Sequence, residues 1–203
     1  MIGLLAFTAT LEVGNTFRTE TLIKEFKEFE PVVIEERIQE PAQVGTGVGR
    51  IVEENQPRIE CRLDDEIQQM IVEKCEEYNI DFAFAMAVMF RESSFRPNVI
   101  SDSNDYGLMQ INKINHEWLS EELDITNFLD PEQNVTAGLY MLNDLFEKYE
   151  YPSLVLMAYN MGETGAKRLW VQGIYSTDYA EAILQQTDIY TAEIAERMGE
   201  GIQ

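Results

Sequence analysis

The stretch MAVMFRESSFRPNVISDSNDYGLMQIN, residues 86–112, runs from an apolar segment into a polar loop and leaves one carboxylate, Glu92, at the junction. Phe82, Phe84, Met86, Val88, Met89 and Phe90 give the segment ahead of Glu92 almost no polar face, as expected of a buried helix. Pro97 cannot continue a helix and disfavours helical geometry at Arg96, so the helix is expected to end just after Glu92. A carboxylate in that place meets the negative end of the helix dipole while apolar walls desolvate it. Both effects favour the protonated form. A glutamate held that way can act as a general acid near neutral pH. Taken alone, such a residue is more simply the first solvated position after a buried helix, and the rest of the chain has to decide between the two.

Working outward, the loop from Asn98 to Tyr106 is rich in Ser, Asp and Asn, which favour turns by bonding their own backbone, and a small β-hairpin can form there. Gly107 is expected to serve a close backbone approach or an unusual dihedral, and Leu108 and Met109 are assigned to packing. Upstream, Asp64 or Asp65 can cap a helix whose Ile67, Met70, Ile71, Cys75 and Tyr78 fall at helical spacing, and Asp81 can cap the buried helix. Downstream, Asp130-Pro131-Glu132-Gln133 reads as a helix start: an N-cap, proline at the first position and a glutamine reaching back. Val135, Leu139, Leu142, Leu145, Phe146 and Tyr149 form the apolar stripe of that helix. Pro152 opens the next one, which Gly162 and Gly165 are expected to break before a restart over Ala166–Val171. Thr177 can cap a last long helix, with Tyr179, Ile183, Leu184, Ile189, Tyr190 and Ile194 available for burial. The reading is an all-α domain over residues 58–198, α+β at most through the small hairpin.

Three short motifs now stand in order: Glu92-Ser93, Gly107-Leu108-Met109-Gln110 and Ala158-Tyr159-Asn160. With this set the chain resembles the soluble lytic transglycosylases, lysozyme-like enzymes that cut peptidoglycan. The resemblance covers residues 58–190 and implies a lysozyme-like helical domain in which a central buried helix ends at the catalytic glutamate. It also implies the chemistry. Glu92 would protonate the glycosidic oxygen between N-acetylmuramic acid and N-acetylglucosamine, then act as base on the C6 hydroxyl that closes a 1,6-anhydro ring. The 2-acetamido group would stabilise the positive intermediate, so no second enzymic carboxylate is required. Ser101 and Gln110 would face the sugars, Tyr159 would lie near the acid, and Asn160 would shape the cleft floor or cap a helix end. Without the resemblance, Ser101 reads equally as a turn serine and Tyr159 as a core aromatic.

The match departs in two places. Many relatives carry Gly-Ala where this chain has Asp105-Tyr106, and many carry Glu-Thr ahead of Tyr-Val where it reads Tyr175-Ser176-Thr177-Asp178-Tyr179-Ala180. The rival readings are a hydrolytic muramidase in which Asp102 or Asp105 positions water, and a catalytically idle wall-binding module.

Composition narrows the field independently. A net charge of −22 opposes binding to nucleic acid or to anionic membranes. Residues 58–203 carry 27 acidic and ten basic side chains, so the acidity belongs mainly to the domain. With one histidine, His116, and two cysteines, Cys61 and Cys75, the chain lacks the ligand clusters of a zinc enzyme and any motif for a Ser-His-Asp or Cys-His site. No metal or cofactor is expected, and the partner expected is the peptidoglycan strand, met by a monomer. The apolar stretch Ile2–Thr10 falls far short of the ~20 residues of a spanning helix and lacks a basic start, so an extracytoplasmic location is expected from the substrate alone. Thr19–Phe29 can form a short helix, and Glu30–Glu60 reads as an acidic tether containing Pro31, Pro41, Pro57 and a Gly45–Gly49 run. Residues 1–57 are therefore set apart as a tail.

Overall fold

Aspartates open three of the helices. Asp64 accepts the Ile67 N–H ahead of α1 (Asp65–Glu77), Asp81 accepts the Phe84 N–H at 2.8 Å ahead of α2 (Phe82–Ser93), and Asp130 accepts the Gln133 N–H at 3.0 Å ahead of α4 (Pro131–Lys148). The computed structural model describes residues 56–199. The expected short helix over Thr19–Phe29 and most of the tether lie outside them. Between α2 and α4 stand a two-stranded hairpin, β1 (Asp105–Tyr106) and β2 (Ile111–Asn112), a 3-10 turn over Lys113–Asn115, and α3 (His116–Leu123). Helices α5 (Pro152–Trp170) and α6 (Asp178–Arg197) complete the fold, six α-helices among the described residues. This is the all-α architecture with a small hairpin that the sequence pattern implied.

Helix α2 is the axis. Every residue from Phe82 to Met89 is buried, and Ala85 to Met89 show no exposed surface at all. It packs most extensively on α6, while α1 packs on α4 and α5 bridges α4 and α6. Burial of a side chain of this kind is worth roughly 1.5–3 kcal/mol, so the core rests on α2 more than on any other helix. Phe90 departs from the sequence reading. It is 43% exposed, edged by Phe95 and Tyr190, because the helix begins to leave the core two residues before Glu92. Ser94 and Phe95 then adopt left-handed backbone, φ +52° and +59°, which turns the chain away at once.

Other details also differ from the sequence reading. The Gln133 side chain does not return to Asp130. Its Oε1 accepts the N–H groups of Thr126 and Asn127 at 2.7 and 3.0 Å, tying down the loop before α4 instead. In α5 only Gly162 leaves helical geometry, at φ +71°, ψ +154°, a region that L side chains avoid. Gly165 stays helical, so the restart comes at Glu163 and not at Ala166. Ile189 is 58% exposed, whereas Ala180, Ile183 and Tyr190 supply the buried positions of α6. The two cysteines are free thiols, Cys75 buried in the core.

The hairpin pairs Asp105 with Asn112 and Tyr106 with Ile111, with an extra bridge from Ile100 to Tyr106. Its turn is the segment Gly107-Leu108-Met109-Gln110, so the pairing lies further along the chain than the Asn98–Tyr106 loop suggested. Leu108 and Met109 are fully buried. Asn134 of α4, also fully buried, holds the turn. Its Oδ1 accepts the Met109 N–H at 2.8 Å, and its Nδ2 donates to the carbonyls of Tyr106 and Phe128 at 2.8 and 2.9 Å. Gly107 has φ +74°, and a Cβ there would stand 2.5 Å from Asn134 Nδ2 and 2.9 Å from the Phe128 carbonyl. Both reasons offered for a glycine at this position apply.

Asn134→Ala strands one buried N–H and two carbonyls, each costing about 1–3 kcal/mol if left unpaired. The variant should lose about 3 kcal/mol in urea unfolding. A loss below 1 kcal/mol would show that the hairpin is held elsewhere.

Candidate active site

Glu92 sits at the next-to-last position of α2, half-buried, where the core opens toward the hairpin. Burial pushes its carboxyl from the usual 4.5 up to about 7, and the field of nearby Asp105 adds to the rise. Two groups oppose it: the Tyr179 hydroxyl, which donates to Glu92 Oε1, and the Arg91 guanidinium. The desolvation argued from the apolar run is therefore the largest influence. Arg91 also lies over the Tyr179 ring, 5.7 Å from its centroid, which fixes the ring against the acid.

Tyr179 was read from the sequence only as a residue for burial. It stands in the first turn of α6, placed by the Thr177 cap, and meets Glu92 from 87 positions away. No local pattern announces such a contact. Burial, the charge of Glu92 and the hydrogen bond between them all push the Tyr179 hydroxyl well above its ordinary value, so it remains a donor at any working pH.

The sequence-derived residues fall into two groups. Tyr159 reaches the site from α5, but its hydroxyl donates to the Met109 carbonyl at 2.9 Å and not to Glu92. Burial, then the charges of Glu92 and Asp105, push its hydroxyl well above the ordinary value. Gln110 closes the hairpin turn with φ +48°, its side-chain amide donating to the Gly107 carbonyl at 2.9 Å. Ser101 is bound into the preceding turn. Its hydroxyl donates to Asp105 Oδ2 at 2.7 Å and accepts the Asp105 N–H at 3.1 Å. Asn160 is exposed on α5 beside Tyr159, and no contact ties it to Glu92.

Both oxygens of Asp105 are occupied, Oδ2 by Ser101 and Oδ1 by the Asn112 amide at 2.6 Å. Asp102 is exposed in the loop. His116 stacks on Phe128 with ring centroids 3.7 Å apart, and its Nε2 lies 3.2 Å from the Ile111 carbonyl. It braces the hairpin and faces neither cysteine. Among the described residues no three His, Cys, Asp or Glu side chains converge as a metal site, and no helix is long and apolar enough to cross a membrane.

Against known proteins, the family model of the Transglycosylase SLT domain matches residues 69–183, more than half of the chain. The membrane-bound lytic murein transglycosylase F of Desulfosudis oleivorans is 32% identical over 112 residues, covering 52% of this chain and 24% of that protein. A transglycosylase of Enterobacteria phage PRD1 is 31% identical over 90 residues, covering 44% and 32%. The chain thus aligns with a third or less of the length of these relatives. In structure, it is similar to an inactive mutant of the lytic transglycosylase Slt from Pseudomonas aeruginosa, with TM-score 0.53 and 18% identity over 66% of this chain and 24% of that one. The 70 kDa soluble lytic transglycosylase of Escherichia coli gives TM-score 0.50 and 22% identity over 66% and 26%. At these identities the structural likeness shows the shared fold.

A pH-dependent stability follows from the geometry. Glu92 takes up its proton near pH 7 when folded and near 4.5 when unfolded. The stability it contributes is therefore fully present below pH 4.5 and is lost as the pH rises through 7. Glu92→Gln removes that loss, so between pH 5 and pH 9 the variant should gain up to about 3 kcal/mol on the wild type in urea unfolding. Parallel pH profiles for the two proteins would mean that the carboxylate is solvated.

Proposed function

Because the chain belongs to the Transglycosylase SLT domain family, we propose that it cleaves the β-1,4 bond between N-acetylmuramic acid and N-acetylglucosamine in peptidoglycan, leaving 1,6-anhydro-muramic acid, with Glu92 as its one acid/base. The observation that carries this reading is a half-buried carboxyl raised to about 7 and held by a tyrosine that cannot take its proton. Protonated, Glu92 delivers its proton to the glycosidic oxygen as the C1–O bond breaks. Ionised, it removes the proton of the C6 hydroxyl as that oxygen bonds to C1, and the cycle ends with Glu92 protonated again. Tyr179 stabilises the ionised state between the two steps. Gln110, Ser101, Tyr159 and Asn160 are assigned to the glycan cleft. Ser101 and Gln110 act there as residues that shape the hairpin rim, consistent with their bonds to Asp105 and Gly107.

The hydrolytic alternative draws on Asp105, whose charge reaches Glu92. A water-activating or nucleophilic carboxylate needs a free oxygen facing the sugar at about 5–9.5 Å from the acid. Both Asp105 oxygens are already engaged, which favours the transglycosylase reading. The wall-binding alternative leaves the raised Glu92 without a purpose. A location facing the cell wall and action on glycan strands as a monomer belong to the same proposal.

Muropeptide mass spectrometry after digestion of purified sacculi should show products ending in 1,6-anhydro-muramic acid, each one water lighter than the hydrolytic product. Glu92→Gln should lower the rate ~10²–10⁴-fold, and Asp105→Asn should keep most of it. Reducing-end muramic acid with an inactive Asp105→Asn would instead place the chain with the hydrolases.

We further propose that catalysis resides in residues 58–198. Arg58 pairs with Asp65 at 2.9 Å, and buried Ile59 donates its N–H to Gln68 Oε1, so the folded part begins by this point. A protein starting at Arg58 should cleave sacculi at a rate within twofold of the full chain. Insolubility or inactivity of that fragment would move the boundary toward the N-terminus.

A further inference from the structure

The rim of the hairpin has a polarity of its own. Ser101 has one hydroxyl proton and donates it to Asp105 Oδ2 at 2.7 Å, while its oxygen accepts the N–H groups of Ser103 and Asp105 at 3.2 and 3.1 Å. Asn112 donates to Asp105 Oδ1 at 2.6 Å and to the Ser103 carbonyl at 3.1 Å, and its Oδ1 accepts the Ile114 N–H. These two side chains have no donor left for a ligand. Asp105 itself is different. Held on both oxygens, it is too tightly tied to attack a carbon or to activate water, yet each oxygen keeps a lone pair that can accept a further hydrogen bond. It is half-buried, and its charge is felt by Glu92 and Tyr159, so it borders the cleft. No side-chain cation answers that charge, because the ion pairs among the described residues leave Asp105 out.

A ligand group matched to this rim donates hydrogen bonds and carries positive charge. An acetamido group fits it poorly, since the acetamido carbonyl meets a carboxylate where it needs a donor. The same sugar without its acetyl group presents an ammonium, with three N–H donors and no acceptor. Resting on the peptidoglycan reading, we propose that Asp105 is a specificity-determining residue that binds the ammonium of a de-N-acetylated glucosamine, so that the cleft prefers strands whose glucosamine carries a free amine. The muramic acid keeps its acetamido group, which the proposed ring closure uses. An ammonium on a carboxylate makes short, charge-assisted hydrogen bonds, and a half-buried pair is screened by salt less than an exposed one. The net charge of −22, which opposes anionic partners, attracts this one.

The probes are the tetrasaccharides of glucosamine and of N-acetylglucosamine, titrated by calorimetry below neutral pH into the full-length Glu92→Gln protein, whose position 92 carries no charge. The glucosamine probe should bind about tenfold more tightly, the usual weight of one charge-assisted hydrogen bond. Adding Asp105→Asn should abolish that preference, and Asp105→Glu should restore part of it. Asp102→Asn, which removes an equal charge from the same loop, should leave the preference intact. In the active protein, Asp105→Asn should lower the ratio of kcat/KM on de-N-acetylated sacculi to that on fully acetylated sacculi by a similar factor. A purely structural role for Asp105 would lower both rates together and leave the ratio alone. Equal affinity for the two probes, an unchanged ratio, or a preference lost as fully with Asp102→Asn would overturn the assignment. Binding of the glucosamine probe that depends on Asp105, in a protein that cleaves no glycan, would uphold the rim and sink only the cleavage reading.

Discussion

The side-chain amide of Asn134 is the point on which the Gly-Leu-Met-Gln turn rests, and through Met109 it also meets the Ala-Tyr-Asn motif. It spends both ends on backbone, taking the Met109 N–H and serving the carbonyls of Tyr106 and Phe128. The Met109 carbonyl, turned the other way, receives the Tyr159 hydroxyl. The hairpin turn is thereby fixed between α4 and α5 by bonds that water cannot replace, since Asn134 and Met109 are both fully buried. A hairpin whose strands are two residues each has no independent stability. Its position relative to Glu92 is inherited from α4, whose own start is fixed by Asp130 and Pro131. The requirement for glycine at 107 is the same constraint seen from the backbone, because any side chain there would enter the space of Asn134.

Against this rigid frame, the acid is balanced by opposing influences. Burial and Asp105 favour the proton on Glu92, while Tyr179 and Arg91 favour its loss. Such a balance suits the proposed role of Glu92, in which one carboxyl gives and then recovers a proton. The arrangement is assembled from distant parts of the chain: α2 brings Glu92 and Arg91, α6 brings Tyr179, and the hairpin brings Asp105. Extensive packing of α2 on α6 is what makes the balance reproducible, since a shift of either helix would change the Tyr179 contact.

How far the sequence could be read depended on the range of each interaction. Helix starts depend on a few neighbouring residues, and Asp64, Asp81, Asp130 and Thr177 all cap as their sequence context implied. The burial of Glu92 was legible for a similar reason, because an apolar run leaves a carboxyl at its end little choice. What escaped were contacts whose partners lie far off in the chain or compete with a local alternative. Gln133 had a local partner in the capping box and took the Thr126–Asn127 loop instead. Tyr179 fits an apolar stripe as well as it fits a hydrogen bond to a buried carboxyl, and only the meeting of α6 with α2 decides between them. Gly162 and Gly165 look alike in sequence, and only the backbone angle at Gly162 separates them. Asp105 is hydrogen-bonded by Ser101 and Asn112 within the same hairpin, yet its charge still reaches Glu92, which no local pattern announces.

The stacking of His116 on Phe128 has an effect that reaches past the hairpin. Burial holds the ring below its ordinary value, and it is the one histidine in the sequence. Burial moves both cysteine thiols the other way, upward. Glu92 moves toward neutrality instead, pushed up to about 7 by its burial. A protein with 37 acidic residues would ordinarily hide one carboxyl among the rest. Here burial sets the Glu92 carboxyl apart from an ordinary one, pushed from 4.5 up to about 7.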